Sequence, residues 1–428
     1  MLVKNIFMEL RSRLRSCNVY ITTNIDFKKD CNLKINIQSN CIVLNYYDNE
    51  NDDTITRRDS LSSIESLSDY SEDESDVTCI IPIQEFCFII PNSMSCLKIE
   101  KNTISFRILT EPKKGGNFYT EIISAETENK EIKVEKLNTN LKLDNEVKFA
   151  CANCSNIISN NSVKFNRILE LPSSNLDMSE WFCHGNGSHS HGHGHGHDHN
   201  HTSQAQTDVL KPNKLDFLYR LTFFVVNNNI LSERSNKFNS KRTVFHCNRC
   251  LAWLGLKSKD TVKLYNADVK IHNNNTEKHV FSHKNSLHNI STDDFIYTIE
   301  SMTREFNLGL QYTMMCKIVL ECTISDAKKQ YLLIWVMDRE LQVLRNIENH
   351  KQSDIILLQS SLLTKILYKI ESELNNEVET WLSDPTVVST DISKSMFSHG
   401  VSHLEHMSLK VPECFRYTNG YCVSYLKA

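Results

Sequence analysis

Along the first third of the chain, apolar residues return at every second position. Leu33, Ile35 and Ile37 alternate with polar neighbours, as do Ile104, Phe106 and Ile108, and likewise Ile132 and Val134. A period of two with one apolar face marks a half-buried antiparallel strand. Short runs of this kind are separated by clusters such as Lys113-Lys-Gly-Gly116. They predict an antiparallel β-sandwich or barrel-like domain over residues 1–145. Residues 48–77 interrupt it. Ser60-Leu-Ser-Ser-Ile-Glu-Ser-Leu-Ser68 and Ser71-Glu-Asp-Glu-Ser-Asp76 are acidic and poor in core side chains. Such a segment cannot offset its ordering entropy and reads as a disordered loop.

The pattern is different farther on. Leu215 to Val226 is too apolar to be exposed and predicts a core strand or a buried helix, ended by Asn227-Asn-Asn229. From residue 283 the chain predicts a mixed α+β region. Ser291-Thr-Asp-Asp294 has the form of a capping box, with Asp in place of Glu, ahead of Phe295, Ile296, Ile299 and Met302 on one helical face. Ile318–Ile324 and Tyr331–Met337 predict paired strands. The run Leu362, Leu363, Ile366, Leu367, Ile370 and Leu374 fits a helix, yet Ile366, Tyr368 and Ile370 also alternate, so both conformations stay open. Tyr421 to Leu426 predicts a final strand. The expected fold class is therefore α+β and β-rich: 1–145, a metal-stapled middle over 146–282, and a C-terminal α+β part over 283–428.

The staple is predicted by cysteine spacing. Cys151-Ala-Asn-Cys154 and Cys247-Asn-Arg-Cys250 are two Cys-x-x-Cys turns, with Trp181-Phe-Cys183-His184 between them. A tight turn of this kind aims both sulfurs at one point, and two of them complete a tetrahedral thiolate shell around zinc. Cys183 and His184 are alternates for one of the four places. Buried free thiols or a redox disulfide are the competing explanations, but both pairs sit in polar turns and neither in a strand-turn-helix. The same stretch carries a His-rich insertion over 185–210, with histidine at every second position from His189 to His201. Imidazoles at this density bind zinc, copper or nickel loosely, but the Gly and Ser between them fix no geometry.

Charge and length narrow the classes further. The 428 residues carry a formal charge of −4, so no basic field invites direct contact with nucleic acid. The apolar run Tyr331–Met337 is too short to span a bilayer. Lys4, Glu9 and Arg11 break up the N-terminal apolar stretch, so no signal-peptide core forms. Fifteen cysteines in such a chain read as reduced thiols and metal ligands. The expected location is the cytoplasm, with the nucleus as a second site. No Gly-rich phosphate loop, nucleophile elbow or His-Glu-x-x-His helix occurs.

The order of motifs adds a resemblance. Glu9-Leu-Arg-x-Arg-Leu-x-Ser16 opens the chain, and Cys151-x-x-Cys154 is followed by Phe165-Asn-Arg-Ile-Leu-Glu-Leu-Pro-Ser173. Then come Trp181-x-Cys183-His184, Cys247-x-x-Cys250-x-x-x-Leu254-Gly255, Lys365-Ile-Leu-Tyr-Lys369, Leu409-Lys-Val-Pro412 and the Tyr421–Leu426 strand. Together they resemble the HECT-like ubiquitin-protein ligases that bind a ubiquitin-conjugating enzyme, nearly end to end. The resemblance implies that the conjugating enzyme docks and that ubiquitin passes to substrate lysines for degradation, a cyclin being one such substrate. A covalent relay on the ligase needs an accessible, partly ionised thiol. Cys183, beside His184, and Cys422, near the C-terminus, are the candidate nucleophiles. The resemblance also implies a non-catalytic alternative, in which the chain inhibits or escorts the endonuclease subunit of the mRNA cleavage and polyadenylation machinery during 3′-end processing.

Overall fold

The computed structural model describes residues 2–11, 14–27, 32–47, 77–112, 138–143, 145–171, 214–273, 276–283, 289–307, 315–347 and 354–427. The Gly-Gly turn at 113–116, the Ile132/Val134 pair and residues 48–76 of the acidic loop lie outside this set. Val77, placed by its sequence at the end of that loop, instead opens the strand Val77–Pro82. Strands dominate the fold.

The largest sheet has eleven strands and is assembled from both ends of the chain. Its spine is Lys328–Asn346, a 19-residue strand whose register shifts between Val336 and Leu341. Before the shift it pairs with Cys316–Ser325, the hairpin partner expected from sequence, through matches such as Ile318↔Ile334. After the shift it pairs with Val3–Arg11, Phe7 lying opposite Arg345. The segment with two possible conformations is the strand Leu358–Glu371, paired with the spine from Tyr331 to Asn346. Sheet pairing thus overrides its helical spacing. The final strand, Tyr421–Lys427, lies on its other side.

Each half of this sheet is covered differently. At the N-terminal half, the three-stranded sheet Asn32–Ile37, Cys41–Tyr47 and Val77–Pro82 packs Ile42, Leu44 and Ile81 against Ile6, Val19 and Ile104. The alternation of Ile104, Phe106 and Ile108 is the imprint of that single buried face. At the C-terminal half, the helices Ile290–Phe306 and Lys394–Ser408 cover Ile318, Leu320 and Ile334. They approach closely because Gly400 has no side chain: a Cβ there would sit 2.3 Å from the Phe295 ring. Phe295, Ile299 and Met302 face the core as predicted, but the N-cap is Asn289, whose Oδ1 accepts the Thr292 N–H at 2.9 Å. No helix among the described residues is long and apolar enough to cross a membrane.

One buried carboxylate ties the two ends together. Glu9, 1% exposed, accepts from Lys365 Nζ at 2.6 Å, Tyr425 Oη at 2.5 Å and Asn18 Nδ2 at 3.1 Å. Burial pushes its pKa up, but Lys365 and Tyr425 outweigh that and hold it below the ordinary 4.5.

The middle of the chain forms a six-stranded and a three-stranded sheet around an aromatic core of Phe149, Phe165, Phe217, Phe224 and Phe281. The apolar run Leu215–Val226 is neither one strand nor a helix. It is a hairpin, Asp216–Arg220 and Phe223–Asn227, turned at Leu221-Thr222. A near-continuous apolar run fits a hairpin whose two faces are both covered. One face meets Phe149 and Phe165; the other, with Phe223 and Val225, joins the helix-covered core. Trp253 Nε1–H donating to Thr323 O at 3.0 Å fixes that join.

Candidate metal centre

The two Cys-x-x-Cys turns hang from different sheets. Cys151 ends the strand Lys148–Cys151, paired with Val269–Asn273 in the three-stranded sheet. Cys247 directly follows Val244–His246 at the edge of the six-stranded sheet. Both turns have the same backbone clasp. In the first, Cys151 N–H donates to Asn156 O at 2.9 Å and Ser155 N–H to Cys151 O at 2.9 Å. In the second, Cys247 N–H donates to Ala252 O at 2.9 Å and Leu251 N–H to Cys247 O at 3.0 Å. The residue after each second cysteine takes a positive φ, 53° at Ser155 and 63° at Leu251. Reversing the chain there aims both thiols inward.

Four sulfurs converge as a result. Cys151, Cys154, Cys247 and Cys250 have ligand atoms all within 4.8 Å of one another. Cys151 Sγ lies 3.6 Å from Cys250 Sγ and Cys154 Sγ 3.7 Å from Cys247 Sγ. A disulfide needs about 2.05 Å, so these are not bonded pairs. Metal–sulfur bonds of about 2.3 Å in a tetrahedron put the sulfurs about 3.8 Å apart. The spacing fits a four-coordinate ion, and the all-thiolate donor set is that of a closed structural site. Cys151 and Cys247 are buried, Cys154 and Cys250 half-buried.

Hydrogen-bond donors reach into the cluster. Arg249 N–H points at Cys247 Sγ from 3.4 Å and Asn156 Nδ2 from 3.7 Å. The same Asn156 amide donates to Asn248 Oδ1 at 2.6 Å, lacing the two turns together. Burial opposes ionisation of Cys250, but the Ala252 N–H, the Asn153 side chain and the neighbouring thiols draw it down to about 6. Burial pushes the Cys151 thiol well up. Four adjacent thiols cannot all ionise unaided; a cation resolves the conflict. Asn156 carries no spacing signal, and sequence reasoning missed it.

The remaining candidates fare differently. Cys183, His184 and the His-rich insertion lie outside the described residues. Cys422 is half-buried in the last strand, opposite Tyr368 and Tyr417, far along the chain from either turn. Burial, with Glu405 nearby, raises its pKa against a hydrogen bond from Tyr368. That setting favours the neutral thiol. Sequence reasoning also passed over Cys414, exposed in the short turn Glu413–Phe415. Burial of its sulfur and the Glu100 carboxylate push it up as well.

Comparison with known proteins places these features in context. Residues 9–423 match the model of a family described as HECT-like ubiquitin-conjugating enzyme (E2)-binding. A curated E3 ubiquitin-protein ligase of Pongo abelii is 21% identical over 327 residues, covering 69% of this chain and 76% of its own length. No solved structure matches the chain.

Proposed function

The chain belongs to the HECT-like family that binds ubiquitin-conjugating enzymes, and from that premise we propose that it is a ubiquitin-protein ligase. It recruits a charged conjugating enzyme and promotes transfer of ubiquitin to substrate lysines. The observation that carries this is the extent of the family match, which takes in both cysteine turns and both ends of the eleven-stranded sheet. The name of the Pongo abelii relative points the same way.

Zinc is the ion we assign to Cys151, Cys154, Cys247 and Cys250, since four thiolates at tetrahedral spacing suit it best. With all four places filled by protein, a zinc ion held by these cysteines would have no open position for substrate. Its contribution is to hold two sheets in fixed relation. The chain's own residues then present a shaped surface to the conjugating enzyme.

In the transfer, a lysine amine attacks the thioester carbonyl carbon. The C–N bond forms, the C–S bond breaks, the sulfur leaves as thiolate and the amine loses a proton. Cys422 is half-buried in the last strand, where the neutral thiol is favoured, which speaks against a relay through it and leaves direct transfer from the conjugating enzyme as the route we favour. A relay through Cys183 is the alternative route. Single-turnover discharge of labelled ubiquitin tests both: the chain should speed discharge, and Cys422→Ala should not slow it. A reductant-sensitive adduct lost in Cys183→Ala would establish the relay. No acceleration with any conjugating enzyme would remove the ligase function and leave a non-catalytic binding protein.

A further inference from the structure

Two leucines among the described residues have a positive φ, Leu221 at 49° and Leu251 at 63°. That region crowds the Cβ of any L-residue and is normally filled by glycine or asparagine. At Leu221, burial offsets the strain: the side chain is 6% exposed and joins the helix-covered core. At Leu251 the clasp on Cys247 O sets the conformation, but no burial of the side chain accompanies it: it is 60% exposed. The matching residue of the first turn, Ser155, at least donates to Glu277 Oε1 at 2.9 Å. Residues held in such conformations by the structure around them cluster at active sites, ligand clamps and switch regions.

The leucine is also held rigidly. Its own N–H closes the clasp on Cys247 O, and Cys250 beside it lies in the four-sulfur cluster. Arg249, Asn153 and Ser155 are exposed on the same pair of turns. An apolar knob fixed in advance loses little freedom on docking, and an apolar centre with a polar rim is the usual makeup of a protein-binding spot.

We propose that the tip of the second cysteine turn, with Leu251 as its apolar anchor, docks the ubiquitin-conjugating enzyme. This rests on the recruitment function proposed above, and the family's binding partner is what selects this occupant. The recess on the conjugating enzyme is apolar, the size of one leucine side chain, with hydrogen-bonding groups facing Arg249.

The test uses the full chain, loaded with zinc, against a panel of purified conjugating enzymes, with Leu251→Gly, Leu251→Asp and Lys101→Gly. Lys101 is another exposed residue at positive φ (49°), remote in sequence from the turns. Glycine relieves backbone strain at either position, so both glycine variants should melt no lower than wild type. Leu251→Gly and Leu251→Asp should nonetheless weaken binding about tenfold or more, the loss expected for one buried leucine, while Lys101→Gly binds as wild type. Unchanged affinity in Leu251→Gly would overturn the docking site and leave recruitment standing. Wild type binding no member of the panel would overturn recruitment itself, and the site with it. Self-association of the chain lost in Leu251→Gly would overturn the choice of occupant.

Discussion

The four-sulfur cluster and the Glu9 carboxylate each join strands far apart in sequence, by opposite means. Cys151 and Cys250 are 99 positions apart, Glu9 and Tyr425 416 apart. At the cluster, like groups that repel when ionised are turned toward one point, an arrangement compatible with a metal ion between them. At Glu9, the opposite charge is built in: Lys365 Nζ meets the carboxylate, and Tyr425 and Asn18 donate to it as well. With the zinc proposed above, the first junction depends on solution conditions that supply metal. The second depends on pH and on each of its own members.

The largest expected effect follows from that dependence. Structural zinc contributes about 10–16 kcal/mol in small domains, as much as the whole stability of a typical protein. Chelation, or Cys247→Ser, should therefore abolish the cooperative melting of the middle region. Metal analysis should find about one zinc per chain in the wild type. Should chelated protein keep the same melting temperature, the cluster would be no staple and the contrast with Glu9 would collapse.

Removing one partner at Glu9 comes next. Lys365→Met removes the nearer of two cations from a carboxylate at 1% exposure, leaving Arg11 at 3.8 Å, and a broken buried pair costs about 3–5 kcal/mol. Replacing both members, as in Glu9→Leu with Lys365→Met, should recover much of the loss in urea unfolding. The pH dependence has a defined sign. Burial opposes the charge, but Lys365 and Tyr425 bring the folded pKa below the ordinary 4.5. The stabilisation is therefore complete above about pH 4.5 and lost as pH falls through the folded value. The gap between wild type and Glu9→Gln should be flat at neutral pH and narrow in acid. A gap that widens in acid would refute the pairing.

The same contrast explains what could be read from the chain. Cys-x-x-Cys spacing is a local signal, and two copies suffice to predict that residues about a hundred positions apart meet. Alternation at Leu33–Ile37 and Ile104–Ile108 was legible because each strand sets its apolar side chains on one face and polar ones on the other. Leu358–Glu371 was ambiguous because its middle is buried on both faces, with Ile366, Leu367 and Tyr368 all under 9% exposed. The period is then lost. Glu9, Lys365 and Tyr425 carry no mutual spacing at all. Their meeting depends on register, set by a shift in the spine strand between Val336 and Leu341 that no local pattern announces. Asn156 and Leu251 matter for their conformations, and only coordinates show those.

The helix Ile290–Phe306 repeats the lesson at the scale of one turn. The capping-box form places the cap at Ser291 with Asp294 as its acidic partner. In the fold Asp294 is wholly buried and otherwise engaged: Asn266 Nδ2 lies 3.2 Å from both carboxylate oxygens and His283 Nε2 2.6 Å from one. That network draws the acid into the core, and the helix starts earlier, with Asn289 Oδ1 accepting the Thr292 N–H. Asn289→Ala should therefore cost about 1 kcal/mol in urea unfolding, the usual value of a lost N-cap. Ser291 lies inside the first turn, where alanine is the better helix former, so Ser291→Ala should cost less. If Ser291→Ala proves the more costly of the two, the cap belongs at Ser291, and local spacing outranks tertiary demand at this end of the helix.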